Sequence, residues 1–388
     1  MLIVALKMLA RDRAKFLSIV MGVTFAVFLI VEQGCVFTGL MRRAGAIILD
    51  TKSVDLWVFD ARVKTVDDLR ALKDSDLWRV RDVEGVEWAT RWFKGAARAK
   101  RLDGRYENVL VIGVDDATMI GAPSAMVEGS VADLVRRDAG IIDVAGSMKI
   151  GGVEVGEELT FNDRRAVIVG KSAATRNFQS LPVIHTRYSQ AIQWVPTERA
   201  TLSAILVKVE PGVDADVVAA RIRDTTGLIA ETPEEFRWRT IRYVLKYTGI
   251  AINIGTTIAL GFIVGAAIAG QTFYSFAVDN LKQFAALKAM GASEGTLAAM
   301  ILVQACAVAA LGYGIGVGMA SIVARSAGPN GQLPAYLTPE LLLISAGAVF
   351  SLCMGAGLVA LRKVAKTEPA MVFKRTAPIP SRSRRPHG

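Results

Sequence analysis

The sequence predicts an α-helical membrane protein with four transmembrane helices and one α+β periplasmic domain. Three observations lead to this prediction. The mean hydropathy is +0.38 over the 388 residues, a value that usually requires lipid-facing segments. Charged residues make up 21% of the chain, the ordinary share of a soluble protein, so the apolar excess must be concentrated in separate stretches. Nearly all the acidic residues lie between an apolar run near the N-terminus and further apolar runs in the last third.

Four stretches are long and apolar enough to span a membrane, which takes about twenty residues in a helix. They are residues 16–38, 248–276, 297–323 and 341–361. Basic residues precede the first stretch, as they precede the apolar core of a secretory signal. This stretch is too long for such a core, however, and no small-x-small cleavage site follows it. We therefore expect an uncleaved helix.

The basic residues predict the orientation of these helices. They concentrate in an N-terminal amphipathic elbow (residues 1–15), in the loop that carries Lys282 and Lys288, and in a basic tail (residues 362–388). Four helices put these three segments on one side, and short basic segments favour the cytoplasm. We therefore expect the inner membrane, both termini in the cytoplasm, and residues 42–246 in the periplasm. The net charge of +10 lies largely beside the apolar runs, which favours contact with lipid headgroups rather than with nucleic acid.

Small residues recur four apart in the last three transmembrane stretches. This spacing lets helix backbones approach closely in lipid, where little hydrophobic force brings helices together. It predicts helix packing within one subunit, with a seam between two copies as the alternative. The pairs are Gly261 with Gly265, Gly312 with Gly316, Gly314 with Gly318, and Ser351 with Gly355.

The periplasmic segment predicts two lobes of mixed α and β structure. Residues 53–114 and 202–231 have the pattern of a split, porter-like sheet domain, with β-α-β-β followed later by β-α-β. The first helix of this lobe is expected to begin at Thr65, which has acidic residues after it. Residues 115–201 have strand and turn signals of their own and are expected to form an inserted second lobe. The tryptophans are expected to pack the domain, because aromatic side chains bury large areas. They are Trp57, Trp78, Trp88, Trp92, Trp194 and Trp238.

No catalytic, metal or cofactor site is expected in this chain. Two histidines and three cysteines do not suggest a zinc site, because all three cysteines lie inside or at the end of apolar runs. Val169-Gly170-Lys171-Ser172 resembles the end of a phosphate-binding loop. That loop needs a glycine five residues before Gly170, where this chain has Arg165. We therefore interpret the segment as a turn after a strand, and we expect no ATP hydrolysis by this chain.

The loop between the second and third transmembrane stretches predicts a short amphipathic helix at residues 279–293. Leu281, Phe284 and Leu287 recur at helical spacing, and Gly291 supplies a C-terminal cap. The helix is short and carries little net charge, which favours docking to protein over lying on lipid. We expect its apolar face to enter a groove on a partner. The candidate docking residues are Leu281, Lys282, Gln283, Phe284, Leu287, Lys288, Gly291 and Ala292.

This loop closely resembles the cytoplasmic coupling segment of the FtsX/MacB-type ABC permeases, especially the DevC-like exporters. Residues 287–293 are the most specific match. Residues 5–16 resemble the amphipathic elbow of that family, and residues 362–373 resemble its basic exit followed by an acidic-Pro-Ala motif. Members of the family often carry an acidic residue at the position of Gln283. The resemblance extends to the order of one helix, a large domain and three further helices.

The resemblance implies a permease that works as a homodimer, with a separate ATPase subunit bound beneath each copy. The partner would then use the ATP, and this chain would need no cofactor. DevC-like permeases also use a periplasmic adaptor of the membrane-fusion type and an outer-membrane channel. In such complexes, closure of the ATPases pushes on the coupling helix and moves the periplasmic domain. The expected function is that of the permease subunit in an export complex for a lipid, glycolipid, peptide or drug.

Two other functions are compatible with the same resemblance. One is an FtsX-like mechanotransmitter that regulates a cell-wall hydrolase, although the outer domain of such a protein is typically smaller than residues 42–246. The other is a lipoprotein-releasing permease, whose outer domain hands its cargo to a chaperone. A gene for an adaptor beside the ATPase gene would favour export, whereas a hydrolase gene would favour mechanotransmission.

Overall fold

The protein is described here by a computed structural model, which covers residues 2–100, 104–173, 177–196, 201–327 and 334–365. The chain divides into two units. The first, called the membrane unit, consists of Met1–Thr38, Ile252–Gly328 and Ala335–Gly388. The second, called the large domain, consists of Gly39–Ala251 and Pro329–Pro334.

The α-helices and β-strands of the described residues are as follows, in chain order. The helices are α1 (Leu2–Arg11), α2 (Arg13–Ala44), α3 (Ala46–Asp50), α4 (Asp74–Arg81), α5 (Val144–Lys149), α6 (Tyr188–Trp194), α7 (Ala215–Thr226), α8 (Pro233–Tyr247), α9 (Ile250–Asp279), α10 (Leu281–Ala289), α11 (Glu294–Ala327) and α12 (Pro339–Ala365). The strands are β1 (Leu56–Phe59), β2 (Val86–Lys100), β3 (Tyr106–Val114), β4 (Met126–Glu128), β5 (Ala139–Asp143), β6 (Glu158–Phe161), β7 (Arg164–Ser172), β8 (Val183–Arg187), β9 (Ala204–Val209) and β10 (Ile229–Glu231).

Four helices of the described residues are long and apolar enough to cross a membrane: α2, α9, α11 and α12. Each contains one of the predicted stretches, except that the second prediction began two residues before α9. The prediction of four transmembrane helices is therefore confirmed. With 32 residues, α2 is about 48 Å long, whereas the hydrocarbon core of a bilayer is about 30 Å thick. This helix must therefore extend beyond the lipid.

The N-terminal helix α1 packs on the membrane unit and ends before α2 begins. Between them, Asp12 accepts a hydrogen bond from the backbone N–H of Lys15 at 3.2 Å, and this bond lowers the pKa of the Asp12 carboxyl. Ala5 and Leu9 lie four residues apart on α1, and both are buried in the apolar core of the membrane unit. The amide of Gln304 on α11 also donates to the carbonyl oxygen of Ala5 at 2.7 Å. These contacts fix the elbow against α11.

The large domain is built on a ten-stranded sheet in the order β10-β1-β9-β2-β3-β8-β5-β7-β4, with β6 paired to β2 and β7. Strand β2 joins the two halves of this sheet. Its first part, from Val86 to Trp92, pairs antiparallel with β9. Its second part, from Phe93 to Lys100, pairs antiparallel with β3. The sheet therefore runs without interruption through the domain.

The predicted lobes contribute different strands to this one sheet. Residues 53–114 and 202–231 supply β1, β2, β3, β9 and β10, whereas residues 115–201 supply β4 to β8. Strand β8 pairs in parallel with β3, so the inserted segment extends the sheet of the first lobe. The lobe boundaries themselves remain a prediction.

The prediction of a helix that begins at Thr65 is wrong. Residues 65–69 form turns and bends, and the first helix of this region begins at Asp74. Local and long-range bonds explain the difference. The hydroxyl of Thr65 accepts from the N–H of Asp67 at 3.3 Å, a bond that competes with helix formation. The ammonium group of Lys94 on β2 donates to the carbonyl oxygen of Val66 at 2.8 Å and pairs with Asp67. The turn is thus held against the sheet.

Aromatic side chains pack the large domain, as expected for four of the six tryptophans. Trp88 is half-buried against the apolar cluster that contains Trp57 and Trp92. Trp57, Trp92 and Trp194 are almost completely buried. The rings of Trp57 and Trp92 meet edge to face, with 4.9 Å between their centroids. Trp78 and Trp238 differ, because about half of each side chain is exposed. For these two residues the packing prediction is wrong.

The segment interpreted as a turn lies inside a strand instead. Residues 169–172 form the end of β7, which pairs in parallel with β5. Within this strand, Lys171 pairs with Glu154 and lies 4.0 Å from a carboxylate oxygen of Glu128. Its backbone is extended in the sheet, so the interpretation as a turn is wrong.

Candidate coupling site

Helix α10 connects α9 to α11 and contains most of the predicted docking residues. Asn280 separates α9 from α10 and forms hydrogen bonds with the last turn of α9 and the first turn of α10. Its side-chain amide donates to the carbonyl oxygen of Phe276 at 2.8 Å, and its own carbonyl oxygen accepts from the N–H groups of Gln283 and Phe284 at 3.0 Å. The end of α9 and the first turn of α10 are therefore bonded to one residue.

The C-terminus of α10 is a Schellman motif centred on Gly291. The N–H of Gly291 donates to the carbonyl oxygen of Lys288 at 3.1 Å, and the N–H of Ala292 donates to that of Leu287 at 3.0 Å. Gly291 has a φ angle of +94°, which an L-residue with a side chain rarely adopts. A Cβ atom at this position would meet no heavy atom within 4 Å. The backbone conformation, rather than space, therefore requires glycine here, as predicted.

The chain then enters α11 through a second set of local bonds. The hydroxyl of Ser293 accepts from the N–H of Thr296 at 3.2 Å, which caps the new helix. Lys288 at the end of α10 lies 3.1 Å from a carboxylate oxygen of Glu294 in the first turn of α11. This ion pair closes the hairpin that α10 and α11 form.

The apolar face of α10 is covered by its own subunit, contrary to prediction. Phe284 and Ala285 are buried, and they belong to the same apolar cluster as Ala5, Leu9 and Leu297. Leu281 and Leu287 are half-buried and pack against this cluster, and Gln283 and Lys288 are also half-buried. The face is not free for a partner, as the prediction required, because it belongs to an apolar cluster to which α1, α9 and α11 contribute residues. The alternation of apolar residues in α1, with Ala5 and Leu9 one turn apart, is the sequence signal that could have shown it.

The exposed surface of the hairpin lies at its tip. We call this surface the coupling tip and define it by Ala289, Met290, Gly291, Ser293 and Glu294; Lys282, in the first turn of α10, is also exposed. Met290 is its main apolar group, because its side chain is 75% exposed. The residue sits directly before the left-handed glycine, on the outside of the turn. Sequence reasoning passed over Met290 because it lies outside the apolar stripe of α10.

An ion pair links the elbow to the end of α9. Lys15, at the start of α2, pairs with Asp279 at the end of α9 and also lies 3.2 Å from a carboxylate oxygen of Asp12. These three residues join the elbow, α2 and α9 in one charged cluster beside the hairpin. The predicted acidic-Pro-Ala motif (residues 368–370) lies outside the described residues, so its place relative to this cluster is not described.

Two of the predicted glycine pairs pack against α2. A Cβ atom on Gly265 would come within 2.4 Å of Ala26, and one on Gly261 within 3.2 Å of Leu29. Gly312 and Gly316 approach the same helix in the same way. A Cβ atom would come within 2.7 Å of Val23 at the first and within 2.6 Å of Val27 at the second. All four glycines of these two pairs therefore lie against helix α2.

The other two pairs have no such neighbour. A Cβ atom on Gly314 or Gly318 would meet no heavy atom of the described residues within 4 Å. The same is true of Gly355, and Ser351 is exposed. The same four-residue spacing of small residues thus occurs both where helices are in close contact and where the helix surface is open.

Two family models match different regions of the chain. A model of the FtsX-like permease C-terminal region matches residues 255–369. A model of the MacB-like periplasmic core domain matches residues 16–225, which is more than half of the chain.

Two curated relatives are uncharacterized ABC transporter permeases of Mycobacterium tuberculosis, from strains CDC 1551 / Oshkosh and H37Rv. Each is 27% identical over 159 residues, which cover 38% of this chain and 42% of the relative. The chain thus matches less than half of the length of either relative.

Two solved structures align with about half of the chain. The extracellular domain of the noncanonic ABC-type transporter YknZ from Gram-positive bacteria aligns with a TM-score of 0.34 and 13% identity, covering 46% of this chain and 98% of that one. The periplasmic region of MacB from Actinobacillus actinomycetemcomitans aligns with a TM-score of 0.38 and 15% identity, covering 49% and 94%. With four membrane-crossing helices, a large domain between the first two, and family models over both parts, the chain belongs to the family of MacB/FtsX-type ABC transporter permeases.

Proposed function

We propose that this chain is the membrane-spanning subunit of an ABC-type export complex, which transmits the motion of an ATPase to the large domain. The cargo would be a lipid, glycolipid, peptide or drug. One observation carries the proposal. Helix α10 is anchored in the core of the membrane unit through Phe284, while the coupling tip with Met290 points to solvent. A partner can therefore push on the tip without first having to order the hairpin.

The anchoring of α10 makes it suitable for transmitting force. Burying a phenylalanine side chain contributes about 1.5–3 kcal/mol, and Phe284 shares its cluster with residues of α1, α9 and α11. A displacement of the tip would therefore move these helices together rather than bend the loop alone. Helix α9 begins at Ile250, and only Thr248 and Gly249 separate it from α8 of the large domain. Helix α9 thus connects the hairpin to the large domain through a link of only two residues.

The partners follow from this role. A separate ATPase subunit would bind the coupling tip and use the ATP, so that this chain needs no cofactor and catalyses no reaction itself. We place the tip and both termini on the cytoplasmic side of the inner membrane, because short basic segments favour that side. The large domain then lies in the periplasm. For a DevC-like branch, a membrane-fusion adaptor and an outer-membrane channel complete the path. Two permease copies would pair, and the open glycines Gly314 and Gly318 offer a small-residue surface for that contact.

Co-purification tests the docking of the ATPase. The chain is co-expressed with the ABC ATPase encoded nearest to its own gene and is isolated through a tag on the permease. We expect Met290→Asp to lower the recovered ATPase at least fivefold, because a charge would enter an apolar contact at the tip. Met148→Asp is the matched control, because Met148 is also an exposed methionine but lies in the large domain. Equal recovery with both variants would contradict docking at the tip.

A deletion strain separates export from the regulation of a cell-wall hydrolase. Export predicts that cells lacking this chain lose a lipid, peptide or drug from the medium or outer surface, or become sensitive to a drug, while their shape and division stay normal. Chained or misshapen cells with an unchanged surface composition would favour the mechanotransmitter instead.

A further inference from the structure

The outward face of α8, the last helix of the large domain, carries a basic and aromatic pocket. Phe236 and Thr240 on the opposite face of this helix are buried in the domain. The pocket itself is open to solvent, has a volume of about 690 Å³, and is lined by α8, by Glu231 at the end of β10 and by Lys64 from the segment after β1. The acidic residues Glu234 and Glu235 line it at the N-terminal end of α8, and the basic residues Arg242 and Lys246 line it towards the C-terminal end. Lys64 is far from α8 in the sequence, so the fold brings these side chains together.

Three cations of the pocket have no carboxylate partner among the described residues. Lys64, Arg242 and Lys246 are all exposed, and none of them lies within 4.0 Å of a described acidic side chain. By contrast, Arg239 on the same helix pairs with Glu231. The free cations face an aromatic surface instead. The ammonium groups of Lys64 and Lys246 lie 5.9 and 5.4 Å from the ring centroid of Tyr247.

Aromatic rings complete the pocket. Tyr243 and Tyr247 stack with 5.2 Å between their centroids and 29° between their planes. Tyr247 is 62% exposed and Trp238 is 50% exposed, which is unusual for side chains of this size in a soluble domain. Tyrosine and tryptophan are enriched where a protein meets the headgroups of a membrane, because their rings are apolar and their tips are polar.

The chain leads from this pocket directly into a membrane-crossing helix, which has no charged residue from Ile250 to Val278. Tyr247 lies three residues before Ile250, where the membrane-crossing helix α9 begins. Three residues span at most about 10 Å, and each headgroup layer of a bilayer is roughly 5–8 Å thick. The long side chains of Lys246 and Arg242 add several ångströms of reach. The C-terminal end of the pocket can therefore contact lipid headgroups.

The helix dipole explains only part of this arrangement. Acidic side chains near the N-terminus of a helix and basic ones near its C-terminus are stabilising, and Glu234, Glu235 and Lys246 follow that rule. The dipole does not account for Lys64, which comes from another segment. It also does not account for two exposed aromatic rings beside the cations. These cations and rings form a positive, aromatic surface at the C-terminal end of the pocket, whereas Glu234 and Glu235 lie in the first turn of α8.

We propose that this pocket binds the headgroup of an anionic phospholipid from the leaflet next to the large domain. The lipid phosphate would lie among Lys64, Arg242 and Lys246. The rings of Tyr243 and Tyr247 would contact the glycerol and the first methylene groups. Such a contact would fix the junction between α8 and α9 at the membrane surface. It does not depend on an ATPase or on the nature of any cargo.

Lipid binding to the full-length protein in detergent tests the proposal. Diheptanoyl phosphatidylglycerol and diheptanoyl phosphatidylcholine are titrated onto the protein, and bound lipid is counted by native mass spectrometry. Each basic residue near an anionic lipid surface contributes a factor of roughly five in affinity. We therefore expect the triple variant Lys64→Gln, Arg242→Gln, Lys246→Gln to bind phosphatidylglycerol at least tenfold more weakly, with phosphatidylcholine binding unchanged.

A matched triple variant controls for net charge. Lys73→Gln, Lys100→Gln and Arg223→Gln remove three exposed cations elsewhere on the same domain, and phosphatidylglycerol binding should then stay within twofold of wild type. Equal losses in both triple variants, or no loss in the first, would overturn the proposal. Competition by free glycerol phosphate at the lipid's own concentration would also overturn it, because the site would then recognise a soluble anion. If the triple variant fails to fold, Lys64→Gln alone, in the segment after β1, should still weaken binding about fivefold.

Discussion

Helix α8 precedes α9 in the chain and helix α10 follows it. The two helices expose different kinds of side chains. Each is anchored by one buried phenylalanine, Phe236 in α8 and Phe284 in α10. Beyond that anchor, α10 turns its remaining apolar side chains inward and exposes Met290 at a tight turn. Helix α8 instead exposes Trp238 and Tyr247 beside free cations. Our two proposals assign a small contact with protein to one end of α9 and contact with lipid to the other.

Removing the anchor of α10 gives the largest expected effect. Phe284→Ala should destabilise the membrane unit by roughly 3–5 kcal/mol, because it removes a fully buried aromatic ring from a packed cluster. Thermal unfolding of the purified protein in detergent measures this loss, and Met290→Ala is the control that should leave the melting temperature unchanged. A Phe284→Ala variant that melts like wild type but fails to bind ATPase would contradict this account. It would show that Phe284 contacts the ATPase rather than anchoring α10.

Mild acid should weaken the large domain while leaving the membrane unit unaffected. Burial lowers the pKa of His185 on β8 to about 4, from 6.5 in an unfolded chain. Below pH 6.5 the unfolded chain binds a proton that the folded domain does not accept until about pH 4. The stability of the domain therefore falls as the pH falls through this window, by about 2 kcal/mol between pH 7 and pH 5.

The acid effect is measured as the difference in unfolding temperature between pH 7 and pH 5. In wild type the tryptophan fluorescence of the large domain should report a lower transition at pH 5. His185→Gln should remove most of that difference, because glutamine does not titrate. An equal drop in the variant would show that other groups cause the acid sensitivity.

The glycine pairs sharpen the comparison between packed and open surfaces on a single helix. Gly316→Leu should destabilise the membrane unit by about 1–3 kcal/mol, because the new side chain would enter the space occupied by Val27. Gly318→Leu, half a turn away, should leave the stability of a single copy unchanged, because its surroundings are open. Thermal unfolding at high detergent concentration compares the two. Equal losses would mean that both pairs are packed.

The smallest expected effect on stability comes from the cap of α10. Gly291→Val should cost of order 1 kcal/mol, because valine is strained at a φ angle of +94°. The change should alter the direction of the coupling tip, so that ATPase binds but its hydrolysis no longer depends on the permease. Normal coupling in this variant would show that the turn tolerates a side chain.

The sequence-based predictions succeeded where the signal is local. Runs of about twenty apolar residues identify the four transmembrane helices regardless of what packs on them. The left-handed turn at Gly291 was likewise predictable, because glycine after an amphipathic run is the usual end of a helix.

Tertiary contacts explain what the sequence could not predict. Phe284 belongs to one apolar cluster with Ala5 and Leu9 of α1, which lie more than 270 positions earlier in the chain. The pairs Gly312–Gly316 and Gly314–Gly318 have the same spacing, and only the position of α2 distinguishes them. The turn at Thr65 depends on Lys94 in a later strand. In each case a neighbour that is distant in sequence decides the outcome.

The central claim is that Met290 at the coupling tip receives the ATPase. The most direct test is the ATP hydrolysis rate of the partner ATPase, measured with the permease in lipid nanodiscs. We expect wild type and Met148→Asp to stimulate hydrolysis equally, and Met290→Asp to reduce the stimulation at least fivefold at equal protein concentration. Full stimulation by Met290→Asp would contradict docking at this tip and would require a different surface for the ATPase.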